Sequence, residues 1–502
     1  MYVLGIDIGT TGAKAMLVNE QGEILGSAYK AYELIKPGKG YVEQRADDWW
    51  DAFVVTVKDC IRSIKDKNNI LAVSVSSQGG SLVPVDKKGC PLCNVLVWMD
   101  KRGLGQQNEL LKINSNDFYY RKSGWKLSPG LNLVKIRWMK DMENDIYNAA
   151  YKFISTIDYM NFKLTGRYII DPSNAAMTQL MDIQSGKWDG QILDLIGIHS
   201  DRLSEIVQSG SLIGNLTPDA AGQLGLNTAV QVISGGHDQY CAAVGAGAIH
   251  KGDMLLSTGT AWVVLGISDI PLFEAGTYLA PGPHIINGLW GALASIPTAG
   301  VAMEWFRHNF ALRLQNSGEY DTESFKDIDD KASLLMEKAR DVFFYPYYNG
   351  SGFPRWSLRS KASLFGLGLE HDRYDIARAI MEGVAFEVGG VLEEYKKGGC
   401  DVNNLRVLGG ASQSGLWTDI IANVVDCDII RFKEAHIACV GAAIVAGVGC
   451  GLFSNCQDGY DRFSNAEIYT ASDSAKKEFY REKYRKYKLG IDLVEDYYKK
   501  IL

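Results

Sequence analysis

A short apolar strand, a turn of glycine and threonine, and a second strand occur twice in this chain, about 250 residues apart. No other feature restricts its fold as much. The first copy runs from Tyr2 to Ile8, turns through Gly9-Thr10-Thr11-Gly12 and resumes from Lys14 to Val18. The second runs from Met254 to Ser257, turns through Thr258-Gly259-Thr260 and resumes from Trp262 to Ile267. Length alone would allow about three domains in 502 residues. The duplication points instead to two copies of one architecture.

The segments after each copy read as α/β. A third strand, Glu23 to Tyr32, follows the turn Asn19-Glu20-Gln21-Gly22, which makes an antiparallel meander. From Ala46 to Ile64, Trp50, Phe53, Val54, Val57, Cys60, Ile61 and Ile64 recur at helical steps behind Asp47 and Asp48. Strands Ile70 to Ser76 and Leu82 to Val85 come next. In the second half Ile376, Ile380, Val384, Val388 and Leu392 mark a helix reaching Tyr395, and the strand Leu405 to Leu408 leads into a helix near Leu416. Strands alternating with helices predict an α/β fold. The tail from about residue 473, rich in Lys, Glu and Tyr, reads as an exposed terminal helix.

Composition narrows the partner. Lys and Arg number 52 against 59 acidic residues, a net charge of −7, so no overall basic field would hold a nucleic-acid backbone or an anionic membrane. A small molecule is the expected ligand. Nine cysteines without framework spacing, of which only Cys90 and Cys93 form a C-x-x-C, suit a reducing compartment. The start reads as a strand rather than a signal peptide, which makes the cytoplasm the expected location. Of two long uncharged stretches, Ala275 to Met303 is broken by prolines and reads as loop and strand. Ile437 to Gln457 carries four glycines and reads as a closely packed buried helix rather than a span.

Four segments carry residues suited to chemistry. In the first turn Gly9 and Gly12 expose backbone amides, Thr10 and Thr11 add hydroxyls and Lys14 adds a positive charge, a cradle for phosphate, although a plain hairpin has the same composition. Asp7, at the strand end, is placed to hold magnesium through water. The turn Ser257-Thr258-Gly259-Thr260 repeats the pattern, so two turns would clamp a polyphosphate. In Ser234-Gly235-Gly236-His237-Asp238-Gln239, Asp238 begins a small-residue helix. It reads either as a helix cap or as a general base taking a proton from a hydroxyl during phosphoryl transfer. His237 ranks below it, since its neighbours in sequence suggest nothing to fix its tautomer. Finally, Gly409-Gly410-Ala411-Ser412-Gln413-Ser414-Gly415 would let a nucleobase or ribose lie against the backbone, or would serve tight packing. No P-loop or protein-kinase motif occurs.

Taken together, these motifs resemble the FGGY carbohydrate kinases, within the sugar kinase, actin and Hsp70 superfamily. The resemblance runs from Leu4 to about Phe453. It rests on Gly5-Ile-Asp-Ile-Gly-Thr-Thr-Gly-Ala-Lys14, Gly40-Tyr-Val-Glu43 with Trp49 and Trp50, Gly236-His-Asp238-Gln239, Ser257-Thr-Gly-Thr260, Ala362-Ser-Leu-Phe-Gly-Leu367, Ala379-Ile-Met-Glu382 and Gly409-Gly-Ala-Ser412. Lys135, Trp138 and Asp141 match an earlier signature, where Asn132 departs from it.

The resemblance implies two ribonuclease-H-like (actin-like ATPase) lobes with a central cleft, residues 1–244 binding sugar and 245–502 binding ATP. The terminal helix could pack on either lobe. It implies Asp238 as base, Asp7 and Asp238 at magnesium, and Thr10, Thr11, Lys14, Gly259, Thr260, Gly300, Glu304, Gly410, Ala411 and Ser414 around ATP. Polar candidates for the sugar are Gln78, Gly79, Asp100, Arg102, Asp238 and Gln239, with a surface ion pair as the other reading of Asp100 and Arg102. The expected function is ATP- and magnesium-dependent phosphorylation of a small sugar, a ketopentose of the xylulose type. Alternatives are gluconate, erythritol or another polyol as acceptor, or a non-catalytic sugar or nucleotide sensor. Ser76-Ser77-Gln78-Gly79-Gly80-Ser81 has neither the Arg-Glu pair that follows the glutamine in glycerol kinases nor the Met-His-Gly of typical D-xylulokinases. Nucleic acid and membrane are not expected partners, and a homodimer is left open.

Overall fold

A computed structural model describes the whole chain except residues 274–278, 315–319, 358, 435, 464–466 and 502. It groups into two compact units: Met1–Ile249 with Asp269–Gly291 and His436–Asn465, and His250–Ser268 with Ala292–Ala435 and Ala466–Leu502. The chain is therefore not divided by a single cut near residue 244.

The first unit contains a six-stranded sheet in the order Leu212–Asn215, Gln231–His237, Ile70–Ser77, Tyr2–Ile8, Gly12–Asn19, Ile24–Ala31. Its three inner partners run parallel, and the meander Tyr2 to Ala31 is antiparallel as the turn residues predict. Alternation along Tyr2–Ile8 sends Leu4 and Ile6 into a core with Trp49, Phe53 and Val57 of the helix Ala46–Cys60. That helix ends before the predicted Ile64, whose amide instead closes a turn on Ile61 O at 3.1 Å. On the opposite face Gly5 meets the helix Ile437–Gly449, where a Cβ at residue 5 would stand 2.1 Å from Cys439 O. The same helix meets the helix Asp238–Gly245, where a Cβ on Gly441 would fall 1.8 Å from Cys241 O. The glycine-broken stretch is thus a buried helix packed backbone to backbone. No helix among the described residues is long and apolar enough to cross a membrane.

The second unit repeats the plan. Its sheet includes, in order, Trp290–Ile296, Trp262–Ser268, Asp253–Thr258, Asn404–Gly409, Ile429–Phe432 and Glu467–Thr470. Asp253–Thr258 pairs antiparallel with Trp262–Ser268 and parallel with Asn404–Gly409, as Tyr2–Ile8 pairs with Gly12–Asn19 and Ile70–Ser77. The stretch read as loop and strand holds Ala280–Pro283 and Trp290–Ile296 before a helix starts at Ala299; its residues 275–278 lie outside the described ones.

The terminal helix, Ser474–Ile501, is not simply exposed. Phe479, Tyr480, Lys483, Tyr487, Ile491 and Val494 recur at three- and four-residue steps and are buried against the helices Arg373–Lys397 and Gly415–Val425. Lys483 Nζ donates to Glu382 Oε2 at 2.5 Å and to Ala339 O at 2.6 Å, Arg378 Nε donates to Glu382 Oε1 at 2.9 Å, and Tyr487 OH donates to Glu387 Oε1 at 2.8 Å. Counting Lys and Tyr as surface residues concealed this face. Their apolar stems and rings pack while the polar tips find buried partners.

Candidate active site

Three parallel strands of the first unit end level with one another. Asp7 pairs with Ser76 in register, and His237 with Ser77. The carboxyl ends of Tyr2–Ile8, Ile70–Ser77 and Gln231–His237 therefore bring Asp7, the segment Gln78-Gly79 and Asp238 to one sheet edge, the edge where open α/β sheets bind ligands.

Asp7 is 5% exposed and takes a hydrogen bond from Ser76 Oγ at 2.8 Å, while Lys14 Nζ stands 3.8 Å from its Oδ2. Burial pushes its carboxyl up; Lys14 opposes this and the charge of Asp238 adds to it, leaving a value of about 6. The two carboxylates repel each other and offer oxygen donors of the kind magnesium takes, and among the described residues no cluster of three or more His, Cys, Asp or Glu side chains is placed to hold a metal.

Asp238 is the first residue of its helix, with a side chain 29% exposed, and its Oδ1 lies 3.4 Å from His237 Nε2. The two groups are in contact, and no hydrogen bond among the described residues sets the tautomer of the imidazole. The backbone ahead of Asp238 is pinned by residues the motif search missed. His237 N–H donates to Ser173 Oγ at 2.9 Å, and Ser173 Oγ donates in turn to the fully buried Asp171. Asp171 caps the helix Pro172–Met177, and the Asp-Pro-Ser start of that helix was readable as an N-terminus.

The expected phosphate turn and sugar segment are joined. Thr10 Oγ1 donates to Gln78 Oε1 at 3.0 Å and accepts from Trp98 Nε1 at 3.1 Å, while Gln78 Nε2 donates to Gln44 Oε1 at 3.0 Å. Thr11 is exposed, its carbonyl accepting from Tyr32 N at 3.2 Å and Tyr29 OH at 3.3 Å. Gln239 is half-buried beside Asp238.

Asp100 and Arg102 form a pair of another kind. Asp100 is wholly buried, and its two oxygens accept from Val42 N at 2.7 Å and from Arg102 N, Nε and Nη2 at 3.0, 2.9 and 2.9 Å. Arg102 also reaches Glu43 Oε1 at 2.5 Å and covers the Tyr41 ring. The four acceptor positions of Asp100 are filled, so this is a buried clasp, neither a surface pair nor an open sugar contact. Lys135 is likewise committed, its ammonium donating to the carbonyls of Gly80, Leu96 and Val97 at 2.7 to 3.0 Å.

In the second unit Gly259, Thr260, Gly300, Glu304, Gly410, Ala411 and Ser414 all line one cavity of about 1110 Å³. Its shape depends on backbone contact. Gly409 has φ +89, and a Cβ there would stand 2.6 Å from Thr258 O; one on Gly300 would fall 2.0 Å from Gly259 O. Thr258 Oγ1 accepts from Ala411 N at 3.0 Å, tying the two glycine-rich segments together. Met303, Met336 and Met381, with Trp262 tilted against Trp417 at 4.8 Å, give it an apolar lining suited to a base. Asp329, raised by burial and bonded by Ser414, adds a polar point, as do Arg378 and Lys476. Asp329, Arg378 and Lys476 lie far apart in sequence and belong to no short motif.

Comparison with known proteins identifies the family of the chain. The FGGY family of carbohydrate kinases matches the chain through its N-terminal domain over residues 2–245 and its C-terminal domain over residues 254–450. The xylulose kinase of Staphylococcus epidermidis is 28% identical over 97% of this chain and 95% of its own length. The gluconokinase of Bacillus subtilis is 26% identical over 95% and 93%, and a glycerol kinase of Streptococcus agalactiae 26% over 96% of each. Among solved structures, ligand-bound xylulose kinase from Lactobacillus acidophilus superposes with a TM-score of 0.91 at 24% identity over 100% of both chains, a likeness of fold.

Proposed function

Since this chain belongs to the FGGY family of carbohydrate kinases, we propose that it transfers the terminal phosphoryl group of ATP to a hydroxyl of a small sugar, a ketopentose of the xylulose type. The observation that carries the chemistry is the placement of Asp7 and Asp238 at the carboxyl ends of the two parallel strands that flank Ile70–Ser77. Xylulose kinases among the relatives support the choice of sugar.

Asp238 accepts the acceptor hydroxyl's proton as its oxygen bonds to phosphorus; the bond to the bridging oxygen breaks and ADP leaves. The partly exposed carboxylate can reach a ligand, and His237 Nε2 stands 3.4 Å from one of its oxygens. Lys14, Thr11 and the amides of the first turn serve the phosphates, and the second unit's cavity takes the nucleoside, with Gly410, Ala411 and Ser414 against it. Asp7 and Asp238 would hold magnesium, which supplies neutralisation of phosphate charge.

A second reading, gluconate or a polyol as acceptor, draws support from the gluconokinase relatives and from the absence of a side chain at Gly79. A coupled ADP-release screen over pentuloses, hexuloses, aldonates and polyols tests both. Preference for a pentulose supports the first reading, and preference for an aldonate or polyol replaces it. If no acceptor stimulates turnover, the chain is a sensor on a kinase fold.

A further inference from the structure

Gly79 does not occupy a positive-φ position, so its lack of a side chain is a matter of space. A Cβ at residue 79 would fall 2.7 Å from His237 Cδ2, 3.0 Å from His237 Nε2 and 3.0 Å from Met177 Cγ. Real side chains do not approach so closely, so the imidazole of residue 237 and any side chain at residue 79 exclude each other. The imidazole has little freedom to retreat. His237 is 6% exposed, its own amide is fixed on Ser173, and its ring meets the Tyr240 ring edge-on at 6.0 Å. Nδ1 is buried and has no hydrogen-bond partner among the described residues. A buried imidazole that leaves a ring nitrogen unsatisfied is costly, and such groups persist where function requires them.

We propose that His237 and Gly79 form one specificity element for the acceptor. The imidazole stands where a side chain at position 79 would project, and its Nε2 lies 3.4 Å from Asp238 Oδ1, which leaves Oδ2 for the hydroxyl to be phosphorylated. The ring then borders the carbon next to the reacting hydroxyl, and its bulk and polar edge select among acceptors. His237 is thus a positioning residue for Asp238 and a wall of the sugar site. This deepens the functional reading given above and rests on Asp238 being the base.

The test is a double-mutant cycle read by ADP release. Wild type, Gly79→Ala, His237→Ala and the double variant are compared at saturating ATP with D-xylulose, D-gluconate, erythritol and glycerol. Each single variant is expected to raise KM for the best acceptor about tenfold or more and to change the ranking of acceptors, with KM for ATP unchanged. The double variant should be no worse than His237→Ala, since the new methyl group no longer meets a ring. Additive losses, or an unchanged ranking in His237→Ala, overturn the proposal. Should Gly79→Ala fail to fold, recovery of folding in the double variant supports mutual exclusion, and failure there too overturns it. His237→Ala should also lower kcat, and His237→Asn, which keeps an N–H donor, should regain part of that loss with the ranking still altered; no gain over alanine removes the positioning role. Asp238→Asn serves as the separate control. Turnover surviving in it would refute the base assignment, whatever the cycle shows about KM.

Discussion

The Ser76 hydroxyl donates to Asp7 Oδ1 at 2.8 Å across a parallel register that sets the two residues side by side. That bond steadies a carboxylate which burial makes expensive to ionise.

Asp7 is held at about 6, above the roughly 3.9 of an ordinary aspartate. The folded chain keeps a proton on it that the unfolded chain releases between about pH 4 and 6, so this group's contribution to stability falls as pH rises through about 6. Asp7→Asn should therefore stabilise the protein at pH 8 by about 2 to 3 kcal/mol, do little at pH 4, and abolish turnover. Thermal melts at the two pH values decide it; equal gains at both would show that burial does not govern this carboxyl.

Asp238→Ala should eliminate sugar-dependent ADP formation and leave ATP binding largely intact, because the cavity in the second unit contains no part of it. Calorimetric titration with ATP beside the coupled assay separates the two effects. Turnover at the wild-type rate would refute the assignment.

Gly300→Ala places a methyl carbon about 2 Å from Gly259 O and must displace the turn at residues 258–260. We expect ATP affinity to drop by tenfold or more, at an overpacking cost of about 1 to 3 kcal/mol, with sugar affinity retained. Loss of sugar affinity alone would reverse the roles given to the two units.

Arg102→Ala removes the cation that closes on buried Asp100 and Glu43. Breaking such a pair costs about 3 to 5 kcal/mol, which urea denaturation would register. Unchanged stability with a raised KM for sugar would restore the reading of this pair as a substrate contact.

Lys483→Ala should destabilise by a similar amount, about 3 kcal/mol, since Glu382 keeps only Arg378 and Tyr480 in a buried setting. A variant melting with the wild type would show that the terminal helix adds nothing to the second unit.

Much of this was legible because the chemistry lies in local patterns. Asp7, Asp238 and the two glycine-threonine turns each sit within a few residues of a strand end, where alternation and turn residues are readable. The seven residues that the family resemblance placed at ATP in the second half line one cavity, although Gly300 and Glu304 belong to a helix and to neither turn. What stayed hidden depends on tertiary partners. Thr10 looked like a phosphate donor, yet its hydroxyl hydrogen goes to Gln78, 68 residues away. Asp100 and Arg102 read as sugar contacts or a surface pair because Val42 and Glu43, which complete the clasp, come from another strand segment. His237 lacked a visible partner in sequence because its constraints come from Gly79, Ser173 and the carboxylate folded back beside it.

The helix Ile437–Gly449 packs its backbone against Gly5 and Cys241, residues made far earlier. During synthesis the strand bearing Asp7 and the helix bearing Asp238 leave the ribosome well before the piece that covers them. The first unit cannot complete its core until residue 449 has emerged, so most of the second unit must be translated first. A chain terminated anywhere between residues 250 and 436 would expose that uncovered glycine-lined face and become a substrate for chaperones and proteases rather than a half-enzyme.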